Sequence, residues 1–339
     1  MKVLTCTSPG SFGYSEQQAP TLSKGHSIIR IKRIGICGTD LHAFEGTQPY
    51  FNYPRVLGHE LAGELIDADG AGDFKKGEIV TLIPYFNCGS CVACRAGTPN
   101  CCVTLKVFGV HIDGGMKEFV SVPSYSLVHG AGLPLEALAL IEPLAVGAHG
   151  VRRANVKPGE FVLVVGAGPI GLGVMEFAKI AGGSVIALDI NQRRLEFCKS
   201  KLKIDHTINA ASADVVAALK EITNGDMPTV VIDATGSLKA INNSFQYMAH
   251  GARYVLVGLQ KGDVTFSHPE FHKREGTLMS SRNATRTDFE QVIGAINAKR
   301  IDPLNYITHR VEFTEIAGHF ETWLNPENGV IKAMVEIHE

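Results

Sequence analysis

Four cysteines stand at the spacing Cys88-x2-Cys91-x2-Cys94-x7-Cys102. Thiolates are soft ligands that hold zinc tetrahedrally, and four of them close its shell. A closed shell leaves no place for a substrate. The spacing therefore predicts a structural zinc that pins a loop with little core of its own. Cys101 adjoins Cys102, and spacing alone does not choose between them. Cys6 and Cys198 read as ordinary small buried residues.

A second pattern is Gly166-Ala167-Gly168-Pro169-Ile170-Gly171, which follows the apolar run Phe161 to Val165. Gly166 permits a tight turn, Gly168 lets the backbone approach a pyrophosphate, and Gly171 lets a helix pack closely on the strand. Pro169 and Ile170 open that helix, whose free N–H groups favour an anion. Asp189 closes the next predicted strand. A carboxylate there accepts hydrogen bonds from the adenosine ribose and repels a 2′-phosphate, which favours NAD over NADP. Arg194 is read as an adenosine-side contact.

A third set is scattered: Cys37 within Gly35-Ile36-Cys37-Gly38-Thr39-Asp40-Leu41-His42, then His59 and Glu60, then Glu142 before Pro143. A thiolate, an imidazole and one or two carboxylates make a mixed donor set. Such a set leaves a coordination position for water or substrate, as catalytic zinc requires.

The elements that must position these residues fall into two textures. Residues 1 to about 145 are rich in Gly, Pro and short alternating runs, such as Ser27 to Lys32 and Gly63 to Ala68. Beyond Lys157-Pro158-Gly159-Glu160, strands and helices alternate. Strands are expected at Phe161 to Val165, Ser184 to Asp189, His206 to Ile208, Thr229 to Asp233, Arg253 to Val257 and Thr277 to Ser281. Helices are expected at Pro169 to Ala181, Gln192 to Leu202, Ala213 to Thr223 and Ser237 to Met248. That order implies a doubly wound parallel sheet. The last residues, from Arg282 onward, are expected to return to the first part.

Composition bounds the function. The 339 residues are 45% hydrophobic and 19% charged, which excludes intrinsic disorder. The net charge of −2 gives no reason to expect a nucleic acid or membrane partner. No apolar run is long enough to span a bilayer, and the start lacks the apolar core of a signal peptide. The cytoplasm is the expected compartment, where disulfides are rare and metal binding explains clustered cysteines.

Taken together, the two zinc patterns, the Gly58-His59-Glu60 and Cys37-Gly38-Thr39-Asp40-Leu41-His42 segments and the glycine fingerprint resemble the zinc-dependent medium-chain dehydrogenases. The likeness covers essentially the whole chain and is closest to the polyol and sugar-acid branch. In that branch a glutamate, here Glu142, replaces a cysteine of the alcohol dehydrogenases. Three segments look like its sugar-acid members: Tyr53 to Glu60, Gly109 to Gly115 and Ser280 to Ala284.

The resemblance implies an α/β fold, with a GroES-like β-rich catalytic domain and a doubly wound Rossmann domain. The expected boundaries are 1–146 completed by 283–339 for the first and 147–282 for the second. It implies two zinc ions and NAD, a small-molecule sugar acid or polyol as substrate, and a homodimer or homotetramer. Cys37 and His59 become ligands of the catalytic zinc, with Glu142 or Glu60 as the remaining protein ligand, exchanging with water. The family pattern selects Cys102 over Cys101. Thr39 matches the hydroxyl that bonds the reacting alcohol and His42 the histidine that ends the proton relay. Val257, Gly258 and Leu259 are counted with the cofactor contacts. Arg282 is the candidate clamp for a substrate carboxylate, ahead of Lys273, His272 and His111. Ala43 and Asn283 stand where sorbitol dehydrogenases carry tyrosines, which counts against sorbitol itself. The expected reaction is hydride transfer from a secondary alcohol of a sugar acid to NAD. Neutral polyols, L-threonine, or a redox sensor without turnover are the alternatives.

Overall fold

Strand His26–Gly35 organises the first part of the chain. Its isoleucines at 28, 29, 31 and 34 are buried, while Arg30, Lys32 and Arg33 stay partly exposed, as a half-buried strand requires. It pairs antiparallel with Glu60–Ala68, Phe119–Pro123 and Lys332–Glu336. These four strands belong to a seven-stranded sheet that also holds Ile79–Leu82, Leu127–His129 and Ile307–Glu312. Register shifts after Ile28 and Ile31 mark bulges, which bend and twist the pair. The computed structural model describes residues 1–49 and 51–338.

The chain divides into two compact units: residues 1–143 with 285–339, and residues 144–284. The core of the first gathers Val3, Leu4, Ile31, Leu61, Val120 and Phe320, among others. Residues 307–312 and 332–336 therefore complete a sheet begun near residue 26.

The second unit is built on a six-stranded sheet. In chain order its strands are Phe161–Val165, Ser184–Asp189, His206–Asn209, Val230–Asp233, Arg253–Leu256 and Thr277–Ser280. All neighbours are parallel, and the spatial order is 3-2-1-4-5-6. That is the doubly wound order whose crevice lies at the carboxyl ends of the strands. The helices between them start where side chains can satisfy the first free N–H groups. Asn191 accepts from Arg193 and Arg194, Asp214 from Ala217, and Ser237 from Ala240.

The expected helix from Ser237 to Met248 is shorter than its pattern suggests. It runs Leu238–Ser244 and tightens into a 3-10 turn at Phe245–Tyr247. Ser244 donates its hydroxyl back to the Ala240 carbonyl, a bond that competes with regular helix continuation. Phe245 then stacks on Phe266 and meets Tyr254 edge-on. The expected helix beginning at Gln192 ends at Ser200 rather than Leu202. A further short helix, His268–Lys273, opens on a proline at its second residue.

Gly63 sets how closely the two central strands of the first unit approach. A Cβ there would lie 2.2 Å from the Arg30 carbonyl oxygen. Gly63→Ala is expected to cost about 1–3 kcal/mol through overpacking. Chemical unfolding followed by circular dichroism checks this; an unchanged midpoint would contradict it.

Candidate metal centres and dinucleotide cradle

The segment around Cys88 has almost no apolar support. Helix Val92–Arg95 buries none of its residues, and Val92 and Val103 are 66% and 71% exposed. What gathers it is sulfur. One ligand atom from each of Cys88, Cys91, Cys94 and Cys102 lies within 4.8 Å of the others. Cys91 and Cys94 are 3.5 Å apart, as are Cys88 and Cys102. Cys101 points elsewhere and is exposed. Backbone N–H groups of Ser90 and Cys91 donate to Cys88 and pull its thiol down to about 5. Cys91 is lowered as well, by backbone N–H groups of Cys94 and Val103. Burial pushes the Cys94 thiol up; thiolates, not thiols, bind metal, so two of the four sulfurs, Cys88 and Cys91, are shifted toward the form that binds a cation.

The mixed set is assembled in the interior of the first unit. Cys37 is the N-cap of helix Gly38–Glu45, and Asp40 occupies the third helical position. Asp40 accepts from the Cys37 N–H at 3.0 Å and from the Gly58 N–H at 3.1 Å. Its other neighbour is His59, whose Nδ1 lies 3.8 Å from Asp40 Oδ1. One buried carboxylate thus ties together the backbone beside both candidate ligands. Gly58 turns with φ +90°, which glycine alone adopts without strain.

Donor atoms of Cys37, His59 and Glu60 fall within 4.8 Å of one another. Glu60 is fully buried and both its oxygens accept from Lys332 Nζ, each at 2.7 Å. Lys332 also donates to the Ile36 carbonyl at 3.0 Å. Glu142 opens helix Ile141–Ala154, where the missing N–H of Pro143 costs nothing. Its Oε1 accepts from the buried Tyr85 hydroxyl.

The field here attracts cations. Burial pushes the carboxyls of Asp40 and Glu142 up. Burial alone would lower the imidazole of His59, but Cys37, Asp40 and Glu142 outweigh it and leave its pKa well above the usual range. His59 Nδ1 is buried and makes no hydrogen bond. A thiol, an imidazole and a carboxylate are zinc's own ligand types. The residues present therefore fit that metal.

Thr39 and His42 lie on the same helix, three residues apart, which places them on one face. Thr39 is half-buried and His42 exposed. His42 Nδ1 sits 3.1 Å from the Thr47 hydroxyl and 3.6 Å from Glu45.

In the second unit the glycine turn leaves a groove. A Cβ on Gly171 would lie 1.9 Å from the Gly166 oxygen, and Gly166 has φ +101°. Gly168 is the N-cap of helix Pro169–Ile180, which has no side-chain cap on its first N–H groups. Pro169 and Ile170 form its first turn. Asp189 accepts from the N–H groups of Ala167 at 2.6 Å and Asn191 at 2.8 Å, so its carboxylate stands beside that turn. The Arg194 guanidinium would be 4.0 Å from a Cβ on Gly168. Val257 and Gly258 follow strand Arg253–Leu256 and donate to the Asp233 carbonyl; Leu259 is 64% exposed. A dinucleotide fits this cradle of bare backbone and carboxylate.

Arg282 is exposed, just beyond strand Thr277–Ser280. Lys273 is paired with Glu270 at 2.9 Å. His272 is exposed on the short helix His268–Lys273. His111 accepts from the Val107 N–H at 3.0 Å and serves its own loop. Three residues of the mixed site escaped the reading of the sequence. Asp40 carried a usable signal, since a carboxylate three residues beyond a helix start is a capping position. Tyr85 and Lys332 carried none, because nothing local marks a partner that lies far along the chain.

The model of the alcohol dehydrogenase GroES-like domain matches residues 23–132, and that of the zinc-binding dehydrogenase matches residues 169–298. The chain is 42% identical to L-galactonate-5-dehydrogenase of Escherichia coli (strain K12) over 336 residues, covering 99% of this chain and 98% of that one. It is 30% identical to 2-dehydro-3-deoxy-L-galactonate 5-dehydrogenase of Pseudoalteromonas atlantica, covering 96% of each. A solved short chain alcohol dehydrogenase of E. coli CFT073, complexed with NADH, superposes with a TM-score of 0.93 at 29% identity, covering 99% of both chains. By sequence and by fold, this chain belongs to the zinc-dependent medium-chain alcohol dehydrogenases, a family of oxidoreductases that use zinc and a nicotinamide dinucleotide.

Proposed function

We propose that the protein oxidises a secondary hydroxyl of a sugar acid of the L-galactonate or L-gulonate type, at carbon 5, with NAD as acceptor. The observation that carries the chemistry is the unsaturated donor set of Cys37, His59 and the buried Glu60. The full-length likeness to two galactonate-type dehydrogenases supports the substrate class.

In this reading Cys88, Cys91, Cys94 and Cys102 hold a structural zinc. Cys37 and His59 hold a catalytic one, with Glu60 or Glu142 as the remaining protein ligand. Bound there, zinc supplies Lewis-acid polarisation of the substrate hydroxyl, and NAD supplies the hydride acceptor.

The chain's own residues do the rest. Asp40 fixes the backbone of Cys37 and the orientation of His59, the usual task of a carboxylate behind a ligating imidazole. Thr39 accepts the hydrogen bond of the reacting hydroxyl. His42 is the exit of the proton: its Nδ1 is engaged by Thr47, so Nε2 remains to take a proton and pass it to water. An imidazole suits this because its ordinary pKa of about 6.5 lies near neutrality. Gly166, Gly168 and Gly171 clear a path for the pyrophosphate, which the Ile170 N–H at the start of the helix faces. Asp189, with Arg194 nearby, holds the adenosine ribose and sets the choice of NAD. Val257, Gly258 and Leu259 complete the cofactor site. Arg282 clamps the substrate carboxylate.

All eight cysteines are free, which fits a reducing cytoplasm. No helix among the described residues is long and apolar enough to cross a membrane. A homodimer or homotetramer completes the proposal. Among the described residues, strand Thr277–Ser280 ends its sheet with one edge unpaired.

NADH formation with aldonates, neutral polyols and L-threonine tests the substrate class. Turnover on L-galactonate or L-gulonate is expected; turnover on neutral polyols alone would overturn the sugar-acid reading. Arg282→Met is expected to raise KM for the acid about tenfold or more relative to the matching polyol, the value of a charged hydrogen bond. Equal effects on both would remove Arg282 from that role. Thr39→Ala is expected to lower kcat about 10²–10⁴-fold while both zincs remain, checked by steady-state kinetics with metal analysis. Cys94→Ser is expected to cost one zinc of two and make the loop protease-sensitive. Retention of both zincs would contradict the sulfur site.

A further inference from the structure

Helix Gly38–Glu45 ends three residues beyond His42, and its end is built as a backward turn. Gly46 caps it in the left-handed region, at φ +84°. The N–H groups of Thr47 and Gln48 then both donate to the His42 carbonyl, at 2.9 and 3.1 Å. That turn returns the Thr47 side chain toward the imidazole. Its Oγ1 lies 3.1 Å from His42 Nδ1 and 2.8 Å from Glu45 Oε2. A threonine hydroxyl has one hydrogen to give and two lone pairs to receive, whereas an ionised carboxylate only accepts. The hydroxyl hydrogen therefore goes to Glu45. The other acceptor in reach, the His42 carbonyl at 3.4 Å, already takes two N–H groups. Thr47 Oγ1 is left as an acceptor toward Nδ1, so Nδ1 carries the hydrogen. Glu45 itself is 3.6 Å from Nδ1, too far for a direct bond.

We propose that Thr47 and Glu45 are positioning residues that hold His42 in the tautomer with its hydrogen on Nδ1, so that Nε2 is the atom that takes up the proton of the reacting alcohol. The inference rests on the role of His42 given above. A neutral imidazole carries one hydrogen on either nitrogen, and the bond made by one nitrogen sets the state of the other. Only a ring with a bare Nε2 accepts there. The proton that leaves the alcohol forms an Nε2–H bond, while the Nδ1 hydrogen stays on Thr47 Oγ1. Loss of the Nε2 proton to water restores the starting tautomer. His42 and Glu45 are 60% and 48% exposed, so the attraction between their charges is screened and counts for little. What Glu45 contributes is direction: it takes the hydroxyl hydrogen and so makes Oγ1 the acceptor. One ordinary hydrogen bond of this kind biases an equilibrium about 2–10-fold.

Nitrogen-15 NMR of the full-length, zinc-loaded protein, labelled in histidine and held at a pH where the ring is neutral, reads the tautomer directly. His42→Gln identifies the signals of His42 by their loss. In the wild-type protein Nδ1 is expected to show the shift of a protonated nitrogen and Nε2 that of a bare one. Thr47→Val removes the acceptor. It is expected to move both shifts toward the Nε2–H form that an unbonded histidine favours, and to slow the first turnover of NADH formation about 2–10-fold. Glu45→Ala frees the hydroxyl to donate to Nδ1 and is expected to move the shifts the same way. Thr47→Ser keeps the hydroxyl and is expected to keep the wild-type shifts and rate. A threonine that only capped the helix would change Tm and leave the shifts in place. Wild-type protein with its hydrogen on Nε2, or wild-type shifts in both Thr47→Val and Glu45→Ala, overturns the proposal. Moved shifts with an unchanged rate overturn the link between tautomer and turnover. A wild-type rate in His42→Gln overturns instead the role of His42 on which the proposal stands.

Discussion

Asp40, Glu60 and Glu142 bury three carboxylates in one region of the first unit, together with the thiol of Cys37. Lys332 and His59 stand among them as bases, at 2% and 5% exposure. Buried charge is costly unless it is paired or coordinates a metal, so the arrangement needs more positive charge than its own side chains supply. That deficit explains the placement of the elements around it. Strand Lys332–Glu336 brings an ammonium to Glu60 across Gly35. Helix Gly38–Glu45 is capped by the carboxylate that also lies 3.8 Å from His59 Nδ1. A divalent cation completes the balance, and its choice of thiolate, imidazole and carboxylate is the chemistry of zinc.

The two metal centres show how ligand type decides a role. Four thiols in a segment whose Val92 and Val103 stay exposed form, in the proposed reading, a closed shell that would pin the loop. The mixed centre has the opposite character. It lies beside the buried core of the first unit, and its three gathered donors, Cys37, His59 and Glu60, are short of a full shell. In the second unit the same economy appears in backbone form, where Gly166 and Gly171 remove side chains so that a phosphate can meet bare N–H groups.

Legibility in the sequence followed distance along the chain. The sulfur site spans fifteen consecutive positions, so its spacing could be read directly. The glycine turn was readable because strand, turn and helix are adjacent, and the alternation after Phe161 yielded every strand of the six-stranded sheet. Helix ends were less legible. The back-bond of Ser244 and the aromatic contacts of Phe245 shortened a helix that periodicity alone would extend. The mixed site was legible only through resemblance, because Cys37, His59 and Glu142 come from three separate elements. Lys332 and Tyr85 were illegible: each meets its carboxylate through a sheet or helix register that no local pattern encodes.

The account turns on what binds at Cys37 and His59, and diffraction from crystals of the zinc-loaded protein at the zinc absorption edge addresses that directly. Two anomalous peaks per chain are expected. One would lie among the sulfurs of Cys88, Cys91, Cys94 and Cys102. The other would be bonded by Cys37, His59 and one of the buried carboxylates Glu60 and Glu142, with one position left to solvent or substrate. A missing second peak, or a second zinc with no open position, would contradict the account.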